Sequence, residues 1–243
     1  MTAPAETPAP AGRPDRFREA FGDWTPRAVV FDCDGLLLDT ETVWYRVQEE
    51  MLGRLDARLE PGDDERLHGS TLEVAAEIMA ERAGADYEEV LGETRALFLE
   101  HLRGDELRVL PGAAAVVAAA ASRVPIACAS NSWHAALEEK LERAGLREYF
   151  SVLHSTDTVE RAKPDPEMYE RGARDLGAEP AQALAFEDSP TGARAATGAG
   201  LRLVAVPERD IAVPGAAITL GSLDDADLLS WIATWPSRGD LAD

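Results

Sequence analysis

Two aspartates one residue apart, Asp32 and Asp34, directly follow a short apolar run, Ala28 to Phe31. The run holds β-branched and aromatic residues without alternation, which is typical of a buried strand in a parallel sheet. In open α/β sheets, ligands bind at the carboxyl ends of the strands. Two carboxylates so close together are costly to bury as charges unless a cation or a proton is shared between them. The stretch therefore predicts a metal-dependent site at the end of the first strand.

Three further polar groups follow strand-like runs later in the chain, namely Ser130 to Ser132, Lys163, and the pair Glu187 and Asp188. Right-handed crossovers between parallel strands place such groups at one edge of the sheet. Together they supply a carboxylate nucleophile, a second acid, hydroxyls, a cation and a metal-binding acid pair, which phosphoryl transfer needs. Taken singly, each group also fits an ordinary turn, a solvated lysine or a helix N-cap.

The order of these groups resembles the four motifs of the haloacid-dehalogenase-like hydrolases. The stretch Asp32 to Thr40 is similar to the first motif, D-x-D-G-x-x-x-D-[ST], and the three later groups are similar to the second, third and fourth motifs. The resemblance covers about residues 27 to 225. It implies an α/β fold, with a Rossmann-like parallel sheet core flanked by helices and an inserted all-helical cap domain.

The resemblance also implies a role for each group. Asp32 is expected to attack phosphorus and form an aspartyl-phosphate, while Asp34 serves as general acid and then as general base. Mg²⁺ is the expected cofactor because the site offers oxygen ligands. Its expected ligands are the Asp32 side chain, the Asp34 main-chain carbonyl and Asp188, with Glu187 as a further ligand or supporting partner. The expected phosphate-binding residues are Ser130, Asn131 and Lys163.

Composition and periodicity divide the chain into three parts. Residues 1–25 are rich in Ala and Pro and are predicted to form a disordered tail. Residues 40–107 carry apolar residues at helical spacing, which predicts a cap domain of four helices. Residues 26–39 and 108–243 alternate strands with helices and form the predicted core domain.

The predicted cap resembles that of the β-phosphoglucomutase-like and sugar-phosphatase branch. In the mutases a G-x-x-R loop supplies an arginine for the non-transferring phosphate, whereas Gly69 to Leu72 has leucine at that place. Because a bidentate arginine is the natural phosphate clamp, hydrolysis is favoured over mutase activity. Arg66 or His68 is a possible substitute, so a phosphosugar mutase stays the alternative.

Substrate recognition is less specified than the chemistry. The expected contacts are His68, Ser70 and Thr71 in the cap loop and Ser132 on the core side, while Trp44 fits either a cap contact or core packing. The expected partner is a small phosphorylated metabolite, a sugar phosphate or another small phosphomonoester. The sequence does not give its identity.

Charge and composition favour some partners and exclude others. A net charge of −21 opposes binding to nucleic acid or to an anionic membrane surface. No membrane span, secretory signal or heptad pattern is visible, so a cytoplasmic monomer is expected. The chain holds two lysines, Lys140 and Lys163, among 24 basic residues. So strong a bias toward arginine raises a functional question for each lysine.

Overall fold

Short apolar runs and amphipathic stretches alternate along most of the chain, and they become strands and helices. The structure is a computed structural model that describes residues 15–67, 70–104, 107–207, 211–237 and 239. The strands are β1 (Ala28–Phe31), β2 (Leu38–Asp39), β3 (Arg108–Val109), β4 (Ile126–Ala129), β5 (Val152–His154), β6 (Ala183–Glu187), β7 (Arg202–Ala205) and β8 (Ile218–Thr219). The helices are α1 (Asp15–Phe21), α2 (Glu41–Arg54), α3 (Asp63–Leu67), α4 (Leu72–Ala83), α5 (Tyr87–Gly104), α6 (Ala113–Arg123), α7 (His134–Arg143), α8 (Glu167–Asp175), α9 (Pro190–Gly198) and α10 (Ala226–Ala233).

Six of the strands form one parallel sheet in the order β5-β4-β1-β6-β7-β8. Strand β1 lies between β4 and β6, with Val30 opposite Ala127 on one side and Ala185 on the other. After β1, the chain first forms β4 and β5 on one side of it and then β6, β7 and β8 on the other. This reversal makes β1 a topological switch point. Such points are where open α/β sheets bind ligands. The predicted Rossmann-like sheet is confirmed.

Helices cover both faces of this sheet. Larger apolar side chains fill one face, where Phe31 stacks on Phe186 with ring centroids 4.9 Å apart. The other face is filled mainly by alanines beneath α8 and α9. A Cβ atom at Gly172 of α8 would lie 3.2 Å from a methyl group of Val30, so the glycine permits this close approach. Both faces are buried, which explains why the strands read as continuous apolar runs.

Four helices, α2 to α5, lie between β2 and β3 and form what we call the helical insert, residues 41–104. Their apolar faces make a separate core around Val47, Met51, Met79 and Leu102. Strands β2 and β3 pair antiparallel, so the chain leaves for the insert and returns from it side by side. The predicted helical insert is thus present in the described residues, and the domain boundaries at residues 40 and 107 stay a prediction. No helix in the described ranges is long and apolar enough to cross a membrane.

The expectation of a disordered tail is wrong for residues 15–25. Residues 15–21 form helix α1, and Phe17 and Phe21 are buried against Trp231 with ring centroids 4.7 and 4.6 Å apart. Three aromatic residues within eight positions, the third being Trp24, bury enough apolar surface to order a segment whose average composition is polar. The remainder of the predicted tail, residues 1–14, lies outside the described residues.

Candidate active site

The predicted catalytic and metal-binding residues meet at the carboxyl edge of three adjacent strands. Asp32 follows β1, Ser130 follows β4 and Glu187 ends β6. A cavity of about 680 Å³ lies between this edge and the helical insert. The predicted residues that line it are Asp32, Asp34, Ser70, Asn131, Ser132, Lys163 and Asp188.

Lys163 joins the two buried acids of the site. Its Nζ donates to Asp32 Oδ1 at 2.5 Å and to Glu187 Oε1 at 2.7 Å, and Tyr169 Oη donates to the same Glu187 oxygen at 2.8 Å. Burial raises the pKa of Asp32 to about 8, since the nearby carboxylates add to this effect and Lys163 offsets it only in part. Burial and the charges of Asp32 and Glu187 also raise the pKa of Asp188 well above its usual value. The cluster therefore favours a further proton or a cation.

Three acids lie close enough to share a metal ion. Oxygen atoms of Asp32, Glu187 and Asp188 all lie within 4.8 Å of one another. Glu187 is already saturated, because its second oxygen accepts from the backbone N–H groups of Asp188 and Ser189 and from the Ser189 hydroxyl, each at 3.1 Å. Asp32 and Asp188 both line the cavity. An excess of buried carboxylate oxygens fits Mg²⁺, with Glu187 better placed to support the site than to bind the ion.

Two glycines leave room for these acids. Gly35 has φ +81°, and a Cβ atom there would collide with the Asp188 carboxylate. At Gly192, in the first turn of α9, a Cβ atom would collide with the Glu187 carboxylate. The Gly192 backbone N–H also donates to Ser189 Oγ at 3.0 Å, so Ser189 is the N-cap of α9. Close approach of backbone and carboxylate explains both glycines.

Four donors surround the Asp34 carboxylate. Oδ1 accepts from Thr40 Oγ1 at 2.7 Å and from Lys140 Nζ at 2.5 Å. Oδ2 accepts from Ser130 Oγ at 2.7 Å and from Ser132 Oγ at 3.2 Å. Burial would raise the pKa of Asp34, but the Lys140 ammonium and the hydroxyl donors lower that pKa to about 2. Asp34 is therefore ionised in this arrangement.

Lys140 is the residue that sequence reasoning left out of the site. Its side chain is fully buried in α7, and its Nζ donates to Ser132 Oγ at 2.6 Å as well as to Asp34. A signal was present, because Lys140 lies on the same helix face as the apolar residues Ala136 and Leu137 and is one of only two lysines. A charged residue on a buried helix face needs a partner of opposite charge.

The expected phosphate contacts of Ser130 and Asn131 are directed elsewhere in this structure. The Ser130 hydroxyl is buried against Asp34 and does not line the cavity. Asn131 lines the cavity, but its side chain exchanges two hydrogen bonds with the Lys163 backbone, donating to the carbonyl at 3.2 Å and accepting from the N–H at 3.0 Å. Asn131 thus holds the loop that carries Lys163. Phosphate binding by these two residues stays a prediction.

Only some of the expected substrate-contact residues line the cavity. Ser70 and Ser132 line the cavity, whereas the Thr71 hydroxyl caps α4 by accepting from Val74 N at 3.4 Å and Thr71 does not line the cavity. His68 lies outside the described residues. Arg66 is directed to Asp63, at 3.6 Å, and does not line the cavity either.

Comparisons with known proteins place this chain in a family. Residues 26–200 match the family model of the haloacid dehalogenase-like hydrolases. The chain is 35% identical to YhcW of Bacillus subtilis over 191 residues, covering 75% of this chain and 84% of YhcW. It is 31% identical to the fructose-1-phosphate phosphatase YqaB of Escherichia coli over 179 residues, covering 73% of this chain and 95% of YqaB.

Among solved structures, CbbY from Rhodobacter sphaeroides in complex with phosphate has a TM-score of 0.74 and 27% identity. The match covers 83% of this chain and 96% of CbbY. The fold, the order of the motifs and the family match lead to one conclusion. This chain belongs to the haloacid dehalogenase-like hydrolases.

Proposed function

We propose that this chain hydrolyses a small phosphomonoester in a Mg²⁺-dependent reaction that passes through an aspartyl-phosphate on Asp32. The observation that carries the proposal is the Asp32, Lys163 and Asp188 cluster at the floor of a cavity large enough for a small metabolite. Such a cluster combines a carboxylate nucleophile with the positive charge that phosphoryl transfer requires.

In this proposal Asp32 attacks phosphorus. Lys163 holds one Asp32 oxygen, at 2.5 Å, and Asn131 fixes the Lys163 backbone, so the nucleophile is held in place before substrate arrives. The Asp32 and Asp188 side chains and the Asp34 main-chain carbonyl would hold Mg²⁺, which would supply positive charge to neutralise the phosphoryl oxygens. Lys163 adds a second positive charge beside the same oxygens.

Asp34 moves the proton in both half-reactions. It protonates the leaving alkoxide, and it then takes a proton from the water that hydrolyses the aspartyl-phosphate. Its ionised, four-donor arrangement is the one suited to the second task. The first task requires Asp34 to gain a proton and loosen these contacts. Thr40, one of the donors, directly precedes α2, so movement of the helical insert would act on Asp34.

The helical insert acts as a cap over the cavity and contributes the substrate-binding wall. Closure would exclude water during chemistry, and opening would release product. Sugar phosphates are the favoured substrates, since YqaB, the relative with 95% of its length covered, is a fructose-1-phosphate phosphatase. Hydrolysis is favoured over mutase activity because Leu72 replaces the expected arginine and Arg66 is directed to Asp63.

Phosphate release from a panel of phosphomonoesters, measured with Mg²⁺ and with EDTA, tests the proposal. The wild type should release phosphate only with Mg²⁺, and Asp32→Asn should lose at least about a thousandfold in kcat, since the nucleophile is gone. Asp23→Asn, the same change at an exposed position, is the control. Phosphate release by Asp32→Asn at the wild-type rate would refute the proposal. Isomerisation of a sugar 1-phosphate that depends on a bisphosphate primer would establish the mutase instead.

A further inference from the structure

The wall of the cavity that belongs to the helical insert is aromatic and carries little charge. Trp44 and Phe98 line it from the insert, Trp133 joins them at the start of α7, and the ring centroids lie 5.7 Å (Trp44 to Phe98) and 5.4 Å (Phe98 to Trp133) apart. Tyr45, which is 57% exposed, extends the wall toward solvent. Edge-to-face contacts hold these rings in fixed positions. The wall therefore offers an apolar, aromatic surface in the same cavity as the reactive acids.

The described residues of this cavity offer no second site for an anion. Among the described residues that line it, Lys163 is the only lysine or arginine, and its ammonium already pairs with Asp32 and Glu187. Glu41 adds negative charge to the lining. A second phosphate or a carboxylate on the substrate would thus be buried without a cation, which is strongly unfavourable.

Gln48 is the polar exception in this wall. It lies one helical turn after Trp44 on α2, lines the cavity and is only 8% exposed. Within the described part of the chain, its side-chain amide has no hydrogen-bond partner but is not fully enclosed by protein, so it is open to the cavity. The amide offers both donors and an acceptor to whatever occupies the cavity.

Building on the proposed function, we infer that the substrate is a monophosphate whose organic part is an uncharged ring. The ring packs against the Trp44 and Trp133 side chains, and a hydroxyl, carbonyl or amide at its edge pairs with Gln48. A sugar ring and a heterocyclic base both satisfy this chemistry. Acyclic phosphates and bisphosphates do not.

Steady-state kinetics with five phosphate compounds tests the inference. Acetyl phosphate reports the basal chemistry, and the others are glucose 6-phosphate, uridine 5′-monophosphate, glycerol 3-phosphate and fructose 1,6-bisphosphate. A ring monophosphate should exceed glycerol 3-phosphate and the bisphosphate at least about tenfold in kcat/KM, and which ring is preferred distinguishes a sugar from a base. Preference for glycerol 3-phosphate or the bisphosphate would overturn the inference. Loss of all turnover, acetyl phosphate included, would instead overturn the proposed function.

A Gln48→Leu variant tests the role of the amide. Relative to acetyl phosphate, kcat/KM for the preferred ring substrate should fall about 3- to 10-fold, the effect of one neutral hydrogen bond. Glu49→Leu places the same side chain at the neighbouring exposed position and should leave this ratio unchanged. An unchanged ratio in Gln48→Leu would exclude Gln48 as a specificity residue.

The donors around Asp34 carry a second, independent inference. Lys140 does not line the cavity, yet its buried ammonium contacts both Asp34 and Ser132. Ser132 in turn donates to Asp34, and its backbone N–H donates to Ser130 Oγ at 3.0 Å. We infer that Lys140 is a positioning residue that holds Asp34 and its serine donors in the geometry needed for proton transfer.

Two substrates of similar shape separate this role from a merely structural one. Phenyl phosphate needs a proton on its leaving oxygen, since phenols such as the tyrosine side chain have a pKa of about 10, whereas p-nitrophenyl phosphate leaves readily without one. Lys140→Met should therefore lower kcat at least about tenfold more for phenyl phosphate than for p-nitrophenyl phosphate. Lys140→Gln, which keeps a donor, should recover part of the difference and serves also if the methionine variant fails to fold. Equal losses for both substrates would overturn the inference.

Discussion

Replacing Asp34 by Asn should destabilise the fold more than replacing Lys140 by Met, although each change breaks the same ion pair. Lys140 is fully buried, and its ammonium has two partners, Asp34 Oδ1 at 2.5 Å and Ser132 Oγ at 2.6 Å. Without the Asp34 charge, the ammonium keeps no anion within hydrogen-bond reach among the residues that the structure describes. Leaving one member of a buried ion pair without its partner costs about 3–5 kcal/mol.

Lys140→Met leaves the Asp34 carboxylate without its cation, but this charge is better solvated than the Lys140 ammonium. The Asp34 side chain is 32% exposed to the cavity and retains three hydroxyl donors, from Thr40, Ser130 and Ser132. Lys140→Met should therefore cost only about 1–3 kcal/mol, the contribution of a hydrogen bond to a charged group. In the double variant the buried ammonium is absent, so its free energy of unfolding should resemble that of Lys140→Met alone. The sum of the unfolding free energies lost in the two single variants should thus exceed the loss in the double variant by about 2 kcal/mol or more.

Urea unfolding in EDTA, followed by tryptophan fluorescence and compared at equal m-values, measures all four proteins. EDTA removes any contribution of a bound divalent cation. Additive losses, or a larger loss for Lys140→Met than for Asp34→Asn, would refute the reasoning. Either result would mean that the buried lysine does not depend on Asp34.

Three further predictions follow from the site and the amino-terminal helix. Because burial raises the pKa of Asp32 from 3.8 to about 8, the contribution of Asp32 to the stability of the metal-free fold should be fully present below pH about 4 and be lost as pH rises through 8. Mg²⁺ affinity should increase over the same range with release of protons, and titration calorimetry in buffers of different ionisation enthalpy would contradict this if no proton were released at pH 7. Gly192→Ala should weaken Mg²⁺ binding and lower the melting temperature, since the added Cβ displaces the Glu187 carboxylate. Gly198→Ala, at the end of the same helix, should do neither, because its Cβ would lie 3.7 Å from Pro166. Equal melting temperatures for the two variants would contradict the close packing of Gly192 against Glu187. Phe17→Ala should cost about 3–5 kcal/mol of unfolding free energy, as expected for a buried aromatic residue, and a loss below about 1 kcal/mol would show that α1 does not pack as described.

Much of the fold could be predicted because the pattern of apolar residues is local information. Uninterrupted runs such as Ala183 to Phe186 indicate strands buried on both faces, and Gly84 and Gly145 mark helix ends through their left-handed backbone. The short elements were missed. Strands β2 and β3 have two residues each, and they exist because they pair with each other across the insert. No local pattern encodes such a pairing.

Helix α1 could not be predicted from the sequence either, because it is stabilised by a distant residue. Its sequence is polar on average, and only contact with Trp231, more than 200 positions away, buries Phe17 and Phe21. The composition of residues 1–25 gives no information about a contact with so distant a residue, so it could not predict that α1 is ordered. The prediction of disorder there failed for residues 15–25 for this reason.

The sequence alone determined which chemical groups reach the active edge. A carboxylate placed directly after a parallel strand must lie at that strand's carboxyl end, so Asp32, Asp34, Glu187 and Asp188 could be placed together before any coordinates were known. Only the tertiary structure decided how each group is used. Hydrogen-bond partners come from residues that are distant in the sequence, so they depend on the complete fold. Ser130 donates to Asp34, and Glu187 accepts from Lys163 and Tyr169. Lys140, in the middle of α7, donates to the Asp34 carboxylate.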